Sequence, residues 1–357
     1  MSRLRLDRAQ WAELIQAAEK YRDLAPWKWM YDTPVLGVED PESGAVGYCS
    51  VMGAAGQEFG LAVFRGATGL WALKRFLADE SASSSERWLT MRNIDSLNFS
   101  LGGRHDVHPA VRRLYRELGY SFRGENDWLV FSSWRPGYYT WPPEGDEVGQ
   151  LARYLHVTTA FAEWIRDNQA FYDEWDRLSE STAWDQNAVT VLCLVPTEDP
   201  EAFLTTPCGA FSLEWRSVVP ETPVKIDPAF DQLAAQRARA QARRTDSVWE
   251  FDVLALPAGI GEGHGRPVTA EIAIAVDVEA EFVLGFDMTA GEDPSRPAST
   301  LLRLIDEAGY LPAAVVTGRA DVYDTLQPLL DVLGVKLIHS METPFLLNVY
   351  AGLVESM

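Results

Sequence analysis

The chain has 357 residues, a formal charge of −21 and a hydrophobic content of 47%, which excludes wholesale disorder and predicts two or three domains. Clustered Lys and Arg supply much of the affinity of nucleic-acid-binding proteins, so this excess of acidic residues argues against nucleic acid as the partner. Three cysteines far apart in sequence, with no signal-peptide pattern and no membrane-length apolar run, favour a cytoplasmic protein that is not bound to a membrane.

Short strands and amphipathic helices alternate along the first two thirds of the chain. Asp7 is suited to cap a first helix, and Ala25-Pro26 ends it because the residue before proline resists the helical region. The next three strands are separated by short turns, which favours an antiparallel meander. We predict strands at 35–39, 46–52, 59–64, 96–101, 128–133, 189–195 and 210–215, and helices after Pro109 and Pro143.

From residue 247 onward the pattern changes. Two strands, Ala270–Asp277 and Glu281–Asp287, are joined by a short turn and predict a hairpin. Helices and two further short strands follow, with Pro328 expected at the start of the main part of one helix and Thr343 as the cap of the last. The order ββαβαβα predicts an α/β unit with a mixed sheet.

Three prolines within residues 220–228, followed by an Arg/Ala-rich helix, mark a boundary between domains. We therefore predict the α+β class, with an antiparallel sheet in an N-terminal region over residues 1–216. That region has an alternative division into subdomains at 1–145 and 146–216. Residues 217–246 are predicted to form a linker and a helix, and residues 247–357 a smaller α/β domain.

Several segments carry a resemblance to a known family. Pro26-Trp27, Gly47–Gly53 and Phe59–Gly66 resemble a family of uncharacterised bacterial two-domain proteins. So does the aromatic–proline loop, which we define as Arg135–Pro143, with the sequence RPGYYTWPP. The resemblance implies that an α/β domain of unknown function follows the first domain. It implies no activity and no catalytic residue.

The order of the C-terminal elements also resembles an RNase H-like fold, whose first strand bears a metal-binding carboxylate. Asp277, late in the first predicted strand, has that place, and metal ions held by several carboxylates would activate a water against a phosphodiester. However, the usual third antiparallel strand has no clear candidate, and Thr317-Gly318-Arg319 stands where an Asp is needed. We expect a non-catalytic domain in which Asp277 begins a turn, with a metal-dependent nuclease or phosphoesterase as the alternative.

His105, Asp106 and His108 contain the one close pair of histidines in the sequence. Two imidazoles and a carboxylate could hold zinc or iron. The alternative is that Asp106 or His108 caps the helix that begins at Pro109. We favour capping and expect no cofactor.

The aromatic–proline loop is the most unusual segment. Tyr138, Tyr139 and Trp141 beside three prolines offer rigid contact area of the kind enriched at protein interfaces, and Arg135 could contact a carboxylate or phosphate. The alternative is that these rings close over the protein's own core. The sequence therefore predicts a non-catalytic binding protein that contacts a protein or a small molecule through this loop.

Overall fold

The computed structural model describes residues 6–78, 94–182, 187–220, 230–261, 265–290, 293, 295–340 and 342–356. The chain forms an N-terminal unit (residues 6–218) and a C-terminal unit (residues 232–356), each consisting of a β-sheet with helices packed against it. The predicted α+β class is confirmed. Within the described part of the chain, no helix has both the length and the apolar character that a membrane crossing requires.

Eight strands form one sheet in the described part of the N-terminal unit. They are β1 (Leu36–Glu39), β2 (Val46–Met52), β3 (Gly60–Arg65), β4 (Ser96–Gly102), β5 (Trp128–Trp134), β6 (Val189–Thr197), β7 (Leu204–Thr206) and β8 (Gly209–Val218). Their order is β5-β4-β3-β2-β1-β6-β8-β7. Every neighbouring pair is antiparallel except β1 and β6, which are parallel.

Helices cover both faces of this first sheet. They are α1 (Arg8–Leu24), α2 (Gly66–Ala78), α3 (Pro109–Glu117), α4 (Asp146–Asp167) and α5 (Gln169–Thr182). The side chain of Asp7 caps α1 as predicted, by accepting hydrogen bonds from two backbone N–H groups of the first turn. The larger core contains α1 and α4, and Leu70 of α2 belongs to a second core on the opposite face.

The second sheet belongs to the C-terminal unit. Its strands are β10 (Val248–Ile260), β11 (Val268–Asp277), β12 (Phe282–Ala290), β14 (Ala314–Thr317) and β15 (Lys336–His339), and a separate short pair consists of β9 (Arg243–Arg244) and β13 (Tyr310–Leu311). Across the sheet the order is β12-β11-β10-β14-β15. Strands β10, β11 and β12 are antiparallel to their neighbours in this group, whereas β14 and β15 continue the sheet in parallel with β10.

Four helices pack on this sheet within the described residues: α6 (Gln232–Gln241), α7 (Arg296–Ala308), α8 (Ala320–Leu333) and α9 (Pro344–Glu355). One core lies between the sheet and α6, α7 and α8. A smaller core lies on the other face, beneath α9. The Arg/Ala-rich helix α6 is held to α8, because Arg239 donates to the carbonyl oxygen of Val332 at 3.0 Å.

The predicted hairpin is the second and third strands of the C-terminal unit rather than its opening. Strand β10 precedes it, so the third antiparallel strand that the RNase H-like arrangement requires is present. Glu250, Asp252 and Pro257 interrupt the apolar pattern of β10, which explains why the sequence analysis missed this strand. The prediction that Asp277 ends the first strand of this unit is therefore wrong, because Asp277 ends the second strand, β11.

One helix start and one capping bond differ from the prediction. Pro328 lies inside α8, where four buried leucines hold the helix despite the backbone hydrogen bond that proline removes. Thr343 and Pro344 take the predicted positions at the start of α9, but the Thr343 side chain makes no capping hydrogen bond. The carboxylate of Glu250 accepts the N–H of Leu346 at 2.7 Å instead.

The proposed domain boundaries remain a prediction. Part of the predicted linker, residues 221–229, lies outside the described residues. Strands β6 to β8 pair within the first sheet, and α6 packs in the C-terminal unit.

Strand β12 is an apolar edge of the second sheet. Phe282, Phe286 and Met288 are each about half exposed, at 62%, 55% and 49%. Arg303 and Arg296 of α7 donate to the carbonyl oxygens of Phe286 and Met288 at 3.3 and 3.2 Å. These side chains occupy acceptors that would otherwise pair with another strand.

We expect the double variant Arg296→Ala and Arg303→Ala to self-associate more than the wild type, because it uncovers the β12 edge. Sedimentation velocity at several concentrations measures the effect. Arg237→Ala is the control, since Arg237 is exposed on α6 and donates within its own helix. Equal monomer fractions in all three proteins would contradict the blocking role.

Candidate functional site

A buried carboxylate, Glu147 in the first turn of α4, organises a polar cluster. Only 4% of its side chain is exposed. Its Oε1 atom accepts hydrogen bonds from Arg65 Nη1 (3.0 Å), Ser133 Oγ (2.7 Å) and Arg135 Nε (2.9 Å), and its Oε2 atom accepts the backbone N–H of Glu144 (3.1 Å). Buried charges are stable when they are paired and hydrogen-bonded in this way.

The charge state of Glu147 follows from these contacts. Burial by itself raises the pKa of its carboxyl, since the ionised form loses hydration. The hydrogen bond from Ser133 and the charges of Arg266 and Arg65 lower the pKa by more, so that it lies below the ordinary value of a glutamate. Glu147 is therefore an anion at neutral pH, and it neutralises guanidinium groups that would otherwise repel one another.

Arg266 connects the C-terminal unit to this cluster. Its Nη2 atom donates to Glu147 Oε2 at 2.9 Å, and its side chain is 7% exposed. Two backbone hydrogen bonds cross between the units nearby: Tyr139 N–H to Pro267 O at 2.9 Å, and Thr269 N–H to Gly137 O at 3.1 Å. A side chain at Gly259 would come within 3.1 Å of Tyr139, so glycine permits this close approach.

The aromatic–proline loop therefore lies at the junction of the two units. Tyr138 pairs with Val268 at the start of β11, whereas Trp141 pairs with Ser133 of β5. The Trp141 indole N–H donates to Glu144 at 2.6 Å. Tyr138 and Tyr139 remain 46% and 39% exposed, and the Arg135 side chain 47%. Thus the structure brings the predicted binding residues together, with Trp141 bonded inward.

The three candidate metal-binding residues at the start of α3 have other contacts. His108 Nδ1 accepts the N–H of Ala110 at 3.2 Å and so caps the helix, and its ring lies 4.8 Å from that of Trp141. Burial lowers the pKa of His108, which favours the neutral imidazole that this acceptor role requires. Asp106 accepts the N–H of Gly103 at 2.8 Å, and His105 is largely exposed beside it.

Asp277 organises the turn between β11 and β12. Its Oδ1 atom accepts the N–H groups of Glu279 and Ala280, both at 3.1 Å, and its Oδ2 atom accepts the Tyr310 hydroxyl at 2.9 Å. These contacts match the turn interpretation. Across the part of the chain that the structure describes, no group of three or more His, Cys, Asp or Glu side chains could hold a metal ion.

A second charged cluster lies at the end of β14, beside the middle of β10. Asp252 is completely buried and accepts the N–H groups of Val253 and Gly318 at 2.9 and 3.1 Å. Arg319, also buried, donates to the Val253 carbonyl and binds Asp321 through two nitrogens. Burial raises the pKa of Asp252 to about 7, although the charge of Arg319 lowers it. The charge of the Arg319 guanidinium thus acts on the carboxylate of the first strand, while its ion pair is made with Asp321.

Residues 11–180 match the family described as "Domain of unknown function (DUF7309)", and residues 234–354 match "Domain of unknown function (DUF6930)". The chain carries two domains of unknown function in sequence. This confirms the two-domain organisation that the resemblance implied. The aromatic–proline loop and Glu147 lie within the first match, whereas Arg266 lies within the second.

No curated protein matches the chain. A solved structure with local similarity is the "CryoEM structure of simian T-cell lymphotropic virus intasome in complex with PP2A regulatory subunit B56 gamma". The identity is 18% and the TM-score is 0.24. The match covers 31% of this chain and 42% of that chain, which is less than half of either.

Sequence reasoning missed the residues that organise both clusters. Glu147 and Arg266 lie 119 positions apart, and nothing in the local sequence of either one indicates the other. A usable signal existed for Asp252, because a carboxylate inside an apolar run is unusual for a buried strand. The sequence pointed to Arg319 only because Thr317-Gly318-Arg319 stands where the RNase H-like fold needs an Asp.

Proposed function

We propose that the chain is a non-catalytic binding protein, and that its binding surface is the junction surface formed by Arg135, Tyr138 and Tyr139. The observation that carries this proposal is the exposure of both tyrosine rings on a backbone that is hydrogen-bonded to the C-terminal unit. Tyrosine and arginine are enriched among residues that dominate binding energy. A surface that is already ordered loses little conformational entropy when a partner binds.

The nature of the partner follows from the charge and the shape of this surface. Two half-exposed rings beside one guanidinium suit a segment of protein that offers an apolar side chain and a carboxylate. The excess of acidic residues in the whole chain disfavours a nucleic acid. We therefore favour a protein partner over the small molecule that the sequence left open.

The non-catalytic part of the proposal is supported by the second cluster. Asp252 is wholly buried, and the cation whose charge lowers its pKa is the Arg319 guanidinium of the same chain. Asp277, the residue on which the nuclease alternative depended, has all of its described hydrogen bonds within the turn and to Tyr310. No observation favours the nuclease or phosphoesterase alternative over the binding proposal.

The double variant Tyr138→Ser and Tyr139→Ser tests the surface. We expect it to keep the circular dichroism spectrum and melting temperature of the wild type, because both rings are half exposed. In affinity capture, we expect the amount of a specific partner that it retains to fall by about tenfold or more. Tyr31→Ser is the matched control, since Tyr31 is a 56% exposed tyrosine outside the junction. Unchanged capture of every wild-type partner by a folded double variant would contradict the proposal.

A further inference from the structure

Two backbone hydrogen bonds and one ion pair join the two units between residues 137–147 and 266–269. Gly259 lies close to Tyr139 at the same junction, and the chain between β8 and α6 links the two units covalently. Small polar contacts between domains generally permit relative motion, whereas large apolar interfaces prevent it. The position of one unit against the other therefore depends on a short segment of contacts.

From this geometry we propose that Arg266 and Glu147 form a releasable latch between the two units. When the latch opens, the hydrogen bonds of Tyr139 and Thr269 break with it, and the C-terminal unit moves as a body. The closed state is the one that the structure shows. The open state keeps both sheets and both cores intact, since none of their packing crosses the junction.

The two sides of the ion pair are unequal, and this makes opening feasible. Glu147 keeps four hydrogen-bond donors from the N-terminal unit after Arg266 leaves, so its carboxylate stays satisfied. Arg266 is almost fully buried in the closed state, yet its Nη1 atom has no hydrogen-bond partner among the residues that the structure describes. The free-energy cost of desolvating that nitrogen opposes closure, and hydration of the guanidinium in the open state favours opening.

These opposing contributions leave the closed state only modestly favoured. The attraction between Arg266 and Glu147 is strong inside a buried site, but the free-energy cost of removing both charges from water offsets a large part of it. The two backbone hydrogen bonds add a small net stabilisation, because in the open state water replaces them. A latch with such a balance responds to any ligand that binds one of the two states better.

Hydrogen exchange of the full chain tests the latch. The N–H groups of Tyr139 and Thr269 are the reporters, because they donate across the junction. We expect their exchange rates to rise about tenfold in Arg266→Ala and further in Arg266→Glu, which places a second carboxylate against Glu147. Amides in the middle of β3 and β11 should exchange as in the wild type.

Arg153→Ala is the matched control. Arg153 also makes a buried ion pair, with Asp40, but both partners lie inside the N-terminal unit. We expect this variant to be less stable and to exchange as the wild type does at Tyr139 and Thr269, once exchange is compared under conditions where each protein is folded. Unchanged exchange of both reporters in folded Arg266→Ala would overturn the proposal, whether or not Arg266→Glu folds. The measurement uses no partner, so it is independent of the proposed binding function.

Discussion

Replacing Glu147 with Gln is expected to lower the free energy of unfolding of the N-terminal unit by about 3–5 kcal/mol. The carboxylate is the anion shared by Arg65, Arg135 and Arg266. An amide leaves Arg135 and Arg266 without their carboxylate partner, whereas Arg65 keeps its ion pair with Asp95. An amide nitrogen also brings two donors into a site where every neighbour is itself a donor. Urea unfolding followed by tryptophan fluorescence and circular dichroism measures the loss.

Glu42→Gln is the control for the Glu147 substitution. Glu42 pairs with Arg153, but its side chain is 72% exposed, and exposed ion pairs contribute about 0–1 kcal/mol. Equal effects of the two substitutions would contradict the central role of Glu147. The variants should also differ in pH dependence. Since the folded pKa of Glu147 is depressed, its stabilisation is present above the unfolded pKa and is lost as pH falls through the folded pKa.

The elements that the sequence predicted correctly depend on neighbours in the chain. Asp7 and Pro109 mark helix starts because capping and the fixed backbone angle of proline act within one turn. The turn at Asp277 is equally local, since the carboxylate bonds N–H groups two and three residues ahead. Local chemistry of this kind is visible in a single sequence.

The features that the sequence did not predict depend on distant residues. Strand β10 was missed because Glu250 and Asp252 look like surface residues, yet Glu250 bonds the start of α9, 96 positions later. The Glu147 cluster gathers donors from β3, β5 and the segment before β11. The composition of the aromatic–proline loop marks it as unusual in the sequence, whereas its pairing with residues 267–269 depends on the arrangement of the two units.

Replacing Arg319 with Met is expected to destabilise the C-terminal unit by about 3–5 kcal/mol at pH 8, because it leaves the buried carboxylate of Asp252 without its cation. Arg237→Met is the control, since Arg237 is an exposed arginine of the same unit that donates only within its own helix among the described contacts. Chemical unfolding of both variants at pH 5 and pH 8 measures the effect.

The pH dependence distinguishes loss of the cation from simple loss of packing. Burial raises the pKa of Asp252 in the folded chain to about 7 from an ordinary value of 3.8, so the group's contribution to stability is fully present below the unfolded pKa and is lost as pH rises through the folded pKa. Without Arg319 the folded pKa rises further. The variant should therefore lose about 1–2 kcal/mol less at pH 5, where Asp252 is mostly protonated, than at pH 8.

A second substitution decides whether Asp252 is the cause. In Arg319→Met the uncompensated charge is the carboxylate, so adding Asp252→Asn should recover part of the stability at pH 8, although each substitution alone is destabilising. Recovery would show that the two side chains act as a pair, with the guanidinium serving as the permanent counter-ion of the carboxylate on the first strand. An equal loss at pH 5 and pH 8 with no recovery would instead assign the role of Arg319 to its hydrogen bonds with Val253 and Asp321.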